Sequence, residues 1–385
     1  MMTPELQEAT GIHHYVPTSR ALLLADRLEM SLMDRGWPVG HVLGSEFDLA
    51  REHGATPPAM RQALRVLEWR GLGQMRRGAA GGLLIQTPSL AVTGRRLMAL
   101  HLMARGVPVD AVRAARTTLL LHLPIGRIDL APARSFVVEL FGHIESAWQD
   151  VQAAQPSHNR APRIAHRILR DGWGGGVELG TIDDLMEAHS ACRAIIIQSL
   201  RILENLGVAI AVRGRTGGFR RIDPTPGSLV RSTLPHFVAH AMDIAVCNQL
   251  IGIVNEINAG QAAERERDPE RLRVLAGRLQ VEELRRGNVA SHVALLRHVA
   301  TSAGNEVLHM LVRCLWYYWH HKVMRNASPP VILSTALAGE MIAVTQRIVA
   351  GILAGKPDDA RFAMAECGEV ARAIHGVVSR EQGNC

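Results

Sequence analysis

The sequence predicts a mainly α-helical chain in which one small unit, three helices closed by a β-hairpin, occurs twice, each copy followed by a purely helical stretch. Three observations predict it: a self-match of the chain at an offset of 136 residues, apolar residues at helical spacing inside each copy, and glycine-rich segments flanked by arginine after the last helix of each.

The offset comes first. Without a gap it aligns Gly36-Trp37 with Gly172-Trp173, Leu43-Gly44 with Leu179-Gly180, and Asp48-Leu49 with Asp184-Leu185. The same register brings His53 onto His189, Gln62 onto Gln198, Leu64-Arg65 onto Leu200-Arg201, and Leu67-Glu68 onto Leu203-Glu204. Further on, Gly71 meets Gly207, Arg77-Gly78 meets Arg213-Gly214, Gly81-Gly82 meets Gly217-Gly218, and Pro88 meets Pro224. Roughly twenty identities over about fifty positions indicate one module present twice.

Each copy has the same physical plan. A first apolar-periodic segment (Leu22 to Met33; Ile164 to Leu169) stops at Gly36 or Gly172. Ser45 and the early acids Glu46 and Asp48 open a short second helix that closes at Gly54. The segment Pro58 to Arg70 then carries Met60, Ala63, Leu64 and Leu67, the stripe of a helix with one buried face, and Ala194 to Leu206 repeats it. Two short helices around a tight turn, the second amphipathic, form a helix-turn-helix signature. The segments Arg76-Arg77-Gly78-Ala79-Ala80-Gly81-Gly82 and Arg213-Gly214-Arg215-Thr216-Gly217-Gly218 fit a hairpin tip whose glycines let backbone approach a phosphate or a groove, which is a wing.

Composition sets the frame for function. A length of 385 residues suits two to four compact units. With 47% hydrophobic and 21% charged residues, and no run of about 18 uninterrupted apolar residues, neither a membrane span nor wholesale disorder is expected. No basic run precedes an apolar core near the start, so no secretory signal is expected and the expected compartment is the cytoplasm. The five cysteines, Cys192, Cys247, Cys314, Cys367 and Cys385, form no CxxC pair, against both a disulfide framework and a zinc finger. The net charge is +7, and all 43 cationic residues except Lys322 and Lys356 are arginine, whose planar fork suits phosphates and guanine edges. A GC-rich genome would produce the same lysine poverty.

Both copies resemble the winged helix-turn-helix domain of the GntR superfamily of bacterial transcription regulators, over residues 20–88 and 160–224. The resemblance implies DNA contacts from the turn, the recognition helix and the wing. Copy one departs from the family pattern at Phe47 and Pro57, which replace arginines, and keeps Arg61; copy two keeps Arg193 and replaces the helix arginine by Ile197. The candidate DNA-binding residues are Arg61, Arg65, Arg76 and Arg77 in the first copy and Arg193, Arg201, Arg213, Arg215, Thr216 and Gly217 in the second. Residues 1–90 hold nine arginines against nine acids, whereas residues 156–222 hold ten against six, so copy two is expected to bind more strongly through phosphate neutralisation.

The domain plan is therefore a winged helix over 1–90, a helical segment over 91–155, a second winged helix over 156–224 and an all-α domain over 225–385. The last is similar to the ligand-sensing FCD domain of FadR-like members, on Ser302-Ala303-Gly304-Asn305, Leu308, Leu311, Ile348 to Gly355 and Ala360 to Met364; residues 91–155 look like only its opening helices, a truncated first copy. That domain commonly holds a divalent metal with an aspartate and three histidines. By register those positions carry His292, Leu296, Thr345 and Cys367 here, so no metal and no cofactor are expected. A rival set, His292, His298 and His309 with His320-His321, has poor ligand spacing. His292 and Asn305 are the candidate effector contacts, and the aromatic run Trp316-Tyr317-Tyr318-Trp319 is expected in the core or at a subunit interface.

The sequence thus points to a one-component regulator of transcription, of repressor type, with double-stranded DNA as partner, a possible small-molecule effector, no membrane partner and a homodimeric state. The two modules would read unlike half-sites. A non-catalytic interaction protein using degenerate winged helices is the alternative. No GxSxG, HExxH or GxxxxGK[ST] pattern is present, and no enzymatic activity is expected.

Overall fold

A computed structural model describes residues 8, 10, 19–76, 78, 81–152, 160–171, 178–212, 217–323 and 332–383. In chain order its elements are α1 (Arg20–Asp34), α2 (Glu46–Glu52), α3 (Pro57–Trp69), β1 (Gly73–Arg76) and β2 (Gly82–Ile85). A mostly apolar helical run follows in three pieces, Leu90–Val92, the π-helical Thr93–Met98 and Ala99–Ala104, which carries Arg95, Arg96 and His101. Next come α4 (Val109–Leu121), α5 (Ala131–Gln152), α6 (Arg160–Asp171), β3 (Glu178–Gly180), α7 (Ile182–His189), α8 (Arg193–Asn205), β4 (Ala209–Ala211) and β5 (Phe219–Arg221). The chain closes with α9 (Pro226–Ala239), α10 (Ile244–Arg265), α11 (Pro269–Gly277), α12 (Val281–Arg285), α13 (Ala290–Ser302), α14 (Glu306–Val323), α15 (Thr335–Leu353) and α16 (Pro357–Gly383). These fall into two compact units, one of residues 14–113 and 138–242, the other of residues 1–13, 114–137 and 243–385.

In the first unit each expected module has its three helices and hairpin, and α3 and α8 have the same bounds after a shift of 136. The Ser45 hydroxyl accepts the Asp48 N–H at 3.2 Å and so caps α2. Thr181 and Asp184 make a full capping box on α7. Met60, Ala63, Leu64 and Leu67 are buried beneath α3, and Ile196, Ser199, Leu200 and Leu203 occupy the equivalent stripe of α8. Truncating such a leucine to alanine costs about 2–5 kcal/mol, so this stripe anchors each module.

Two repeated motifs acquire a physical reason. The Glu68 carboxylate accepts the Met75 N–H at 2.8 Å, pinning the first residues of the hairpin to the end of α3, and Glu204 is held in the same way against the Ala211 N–H. Gly82 lies against Gly44, where a Cβ would come within 2.2 Å of the Gly44 carbonyl oxygen, and Gly218 lies against Gly180, where the clash would be at 2.6 Å. These glycines recur because a short third strand crosses the hairpin there: Val42 bridges Leu84, and β3 pairs with β5. Their role is strand packing inside the module rather than closeness to a ligand.

The second unit is helical throughout its described residues. Leu295, Val299, Ala338, Met341, Val344, Ile348, Ile352, Ala360, Ala363 and Met364 form one core cluster of α13, α15 and α16. Helix α15 is long and apolar enough to cross a membrane, with a mean hydropathy of 1.4, and half of that stretch is buried inside this unit. Tyr318, from the aromatic run, is fully buried, while Trp316 packs its ring on His320 with centroids 5.4 Å apart.

Candidate nucleic-acid interface

Helices α3 and α8 pack against each other within the first unit. They enclose a cleft of about 250 Å³, and every residue lining it has its counterpart 136 positions away on the opposite wall. Arg61 answers Ile197, Gln62 answers Gln198, Arg65 answers Arg201, and Trp69 answers Asn205, with Pro58 and Ala194, then Val66 and Ile202, completing the set. Apart from Val66, which also joins the core of its own module, these positions lie off the core stripe of their helices, on the side that a helix-turn-helix presents to a groove.

Exposure grades along the cleft. Pro58, Arg61, Arg193 and Ala194 at the N-terminal ends are exposed, whereas Trp69 and Asn205 at the C-terminal ends are buried. The two helices therefore meet at their last turns and open towards their first. A buried ion cluster locks the closed end. Arg70, with no exposed surface, donates to Glu29 and, at 3.2 Å, to Asp26; its Nε donates to Asn205 Oδ1 at 2.9 Å; and Arg231 on α9 also donates to Asp26. Burial pushes the Arg70 guanidinium down, but the Glu29 and Asp26 carboxylates outweigh it and hold the charged form. Two cations facing two carboxylates and an amide make the desolvation tolerable; removing one partner would not.

The open end carries the predicted arginines. Arg61 forks onto Glu46 of α2, Nε to Oε2 at 3.0 Å and Nη2 to Oε1 at 2.8 Å, and this hydrogen bond and charge raise its pKa further. Arg193 opens α8 and lies 3.3 Å from Asp183. Exposed pairs of this kind are worth about 0–1 kcal/mol, so exchanging the carboxylate for a phosphate is cheap. Arg65 is exposed and has no ion-pair partner among the described residues. Arg76 ends β1 in solvent, and Gly217 stands half-buried just before β5. Arg201 is drawn inward instead, donating to Gln62 Oε1 across the cleft at 3.4 Å and to Glu204, whose pKa is raised by burial against the pull of Arg201. Arg77, Arg213, Arg215 and Thr216 lie outside the described residues.

No family model matches this chain, and no curated protein matches it. Among solved structures the chain is similar to Streptococcus agalactiae GntR, at 17% identity and a TM-score of 0.42, over 55% of this chain and 97% of that one.

The helical unit brings together three of the four positions where the family resemblance places a metal. His292 Nδ1 lies 3.3 Å from Thr345 Oγ1, which itself donates to the Met341 carbonyl at 2.7 Å, so Nδ1 is the donor and Nε2 faces Cys367 Sγ at 4.0 Å. Burial pushes His292 down to about 4 and the Cys367 thiol up to about 12. A neutral imidazole, a protonated thiol and a hydroxyl, with the apolar Leu296 beside them and no carboxylate, do not fit a divalent metal. His298 stands 3.2 Å from Glu266 instead, and no group of three or more His, Cys, Asp or Glu residues suited to a metal exists among the described residues. Asn305 Oδ1 accepts the Leu308 N–H at 3.1 Å and caps α14.

Sequence reasoning missed the closed end of the cleft. Arg70, Asp26, Glu29, Asn205 and Arg231 are far apart in the chain and carry no periodic signal. One signal was available: Trp69, Ile197 and Ile202 are apolar residues off the core stripe of their own helices, as a second packed face requires.

Proposed function

We propose that this chain is a sequence-specific DNA-binding transcription regulator of the GntR superfamily, FadR-like, in which an ancestral duplication produced two winged helix-turn-helix modules and a shortened first sensor segment. The observation that carries it is the open end of the α3–α8 cleft, where Arg193 opens α8 and Arg61 projects from early in α3, with Arg65 exposed one turn further along. Self-complementary contact at matched positions, as in an isologous pair, supports the duplication.

Packed helices have axes about 8–10 Å apart, whereas half-sites one turn apart need about 34 Å. The modules therefore act as one reading head on one contiguous, asymmetric site, rather than on two separated half-sites. Wing arginines Arg77, Arg213 and Arg215 would add backbone contacts at its flanks. The helical domain would provide homodimerisation and response to a small-molecule effector, in a cytoplasmic repressor.

A second reading has its own observation: the outer faces of α3 and α8 are turned on each other, which suits an interaction protein that does not bind DNA. The salt dependence of binding to bulk duplex separates the two. A steep loss of affinity between 50 and 200 mM salt supports the regulator, and the fragments retained from genomic DNA would supply the operator. No measurable slope would discard it.

A further inference from the structure

The closed end of the cleft is lined by two residues with buried donors that no described residue satisfies. Trp69 and Asn205 are the last residues of α3 and α8, and the indole Nε1–H and the amide Nδ2 are both buried with no hydrogen-bond partner among the described residues. The amide cannot turn over to hide this. Its Oδ1 accepts from Arg70, and a guanidinium only donates, so Nδ2 remains a donor. An unpaired buried N–H is costly, and two at matched positions around one cleft indicate an acceptor that belongs between them.

The rest of the cleft agrees with an anionic ligand. One turn before Trp69, Arg65 has no carboxylate partner; one turn before Asn205, Arg201 shares a single carboxylate, Glu204. Val66 and Ile202 supply apolar walls between these polar groups. About 250 Å³ lies below the range of about 300–1,000 Å³ typical of drug-sized ligands, so the occupant is small. Duplex DNA is a poor fit, because the orphaned donors lie at the narrow buried end.

We propose that this cleft binds a small organic acid, its carboxylate held by Trp69 Nε1, Asn205 Nδ2 and the guanidinium of Arg65, and its apolar body between Val66 and Ile202. Such a ligand would fix the spacing of α3 and α8 and so alter the presentation of Arg61 and Arg193. That coupling rests on the DNA-binding function proposed above; the binding itself does not.

Calorimetric titration of the full chain with phenylacetate, salicylate, octanoate and indole-3-acetate tests it, with phenylacetamide as the uncharged control. At least one acid is expected to bind one per chain, with phenylacetamide at least about tenfold weaker than phenylacetate. Arg65→Gln, at an exposed position that leaves the core untouched, and Trp69→Phe, which removes only the N–H, should each weaken it about three- to tenfold. Absence of binding by all four acids, equal binding of the amide, or an unchanged Arg65→Gln variant overturns the proposal. An acid that binds as described to a chain that retains no duplex DNA would uphold the cleft and discard the regulator.

Discussion

Arg70 donates from Nε to Asn205 Oδ1 at 2.9 Å, and this bond joins the residue that follows α3 to the last residue of α8. Because Arg70 is also the partner of Glu29 and Asp26, the packing of α3 on α8 and the neutralisation of a buried charge cluster are one event. Arg70→Ala is expected to cost about 3–5 kcal/mol, since it strands the buried Glu29 carboxylate. Adding Glu29→Met to Arg70→Met should recover more than half of the loss. Urea unfolding midpoints measure both, and a cost below about 1 kcal/mol for Arg70→Ala would show that the cluster does not hold the helices together.

DNA contacts are predicted to rank by module. Arg193→Ala should weaken operator binding by about 1–3 kcal/mol if the contact reads a base, or nearly uniformly across sequences if it meets phosphate. Arg61→Ala should matter less, in line with the neutral charge balance of residues 1–90. Electrophoretic titration of both variants decides the order, and a reversed order would assign the principal contact to the first module.

Thiol chemistry offers a footprint of the same surface. Cys192 is exposed at the N-cap of α8, next to Arg193, while Cys247, Cys314 and Cys367 are buried, and burial holds the thiols of Cys247 and Cys367 up at about 12. Among these four cysteines iodoacetamide should therefore modify Cys192 first in the native chain, and saturating operator DNA should slow that modification several-fold. An unprotected Cys192 in the complex would place DNA elsewhere.

Three buried histidines give stability a pH slope. Burial lowers His101 and His236 to about 3 and His292 to about 4, so between those values and about 6.5 the unfolded chain binds more protons than the folded one. Stability should be fully present above about pH 6.5 and decline as pH falls, by about 1–2 kcal/mol per histidine at pH 5. His292→Gln should flatten the profile of unfolding free energy between pH 7.5 and 5. A variant profile parallel to the parent's would show that His292 takes up its proton without cost to the fold.

Glycine substitutions separate two backbone demands. Gly82→Ala adds a Cβ 2.2 Å from the Gly44 carbonyl at a φ of +155°, and should destabilise by about 1–3 kcal/mol. Gly142→Ala, inside α5 with nothing within 4 Å, should stabilise by about 0.5–1 kcal/mol. Thermal melts that place both variants on the same side of the parent would contradict the strand crossing described for Gly44 and Gly82.

Sequence patterns reached the modules because their determinants are local. Caps such as Ser45, stops such as Gly36 and the four-residue stripe from Met60 to Leu67 act within a few residues of one another, so periodicity and spacing expose them. The pairing of α3 with α8 was not legible in that way. It depends on Arg70, which counts in the sequence as one more cation and in the fold as a wholly buried one, and on Trp69 and Asn205, whose equivalence is positional and not chemical. His292, Thr345 and Cys367 do converge as their register implies, yet their neutral state follows from burial, which residue type alone does not reveal.

Helices α3 and α8 belong to one polypeptide, and this frees the contact from a rule that binds every two-fold homodimer. In a homodimer a guanidinium placed at the axis faces its own copy, and any substitution is written twice. Here Arg70 has Leu206 at its matched position and finds an asparagine across the contact, so the two walls can diverge independently. Tethering also removes the bimolecular step from assembly of the pair. A head built this way stays joined at any dilution, however few molecules a cell contains.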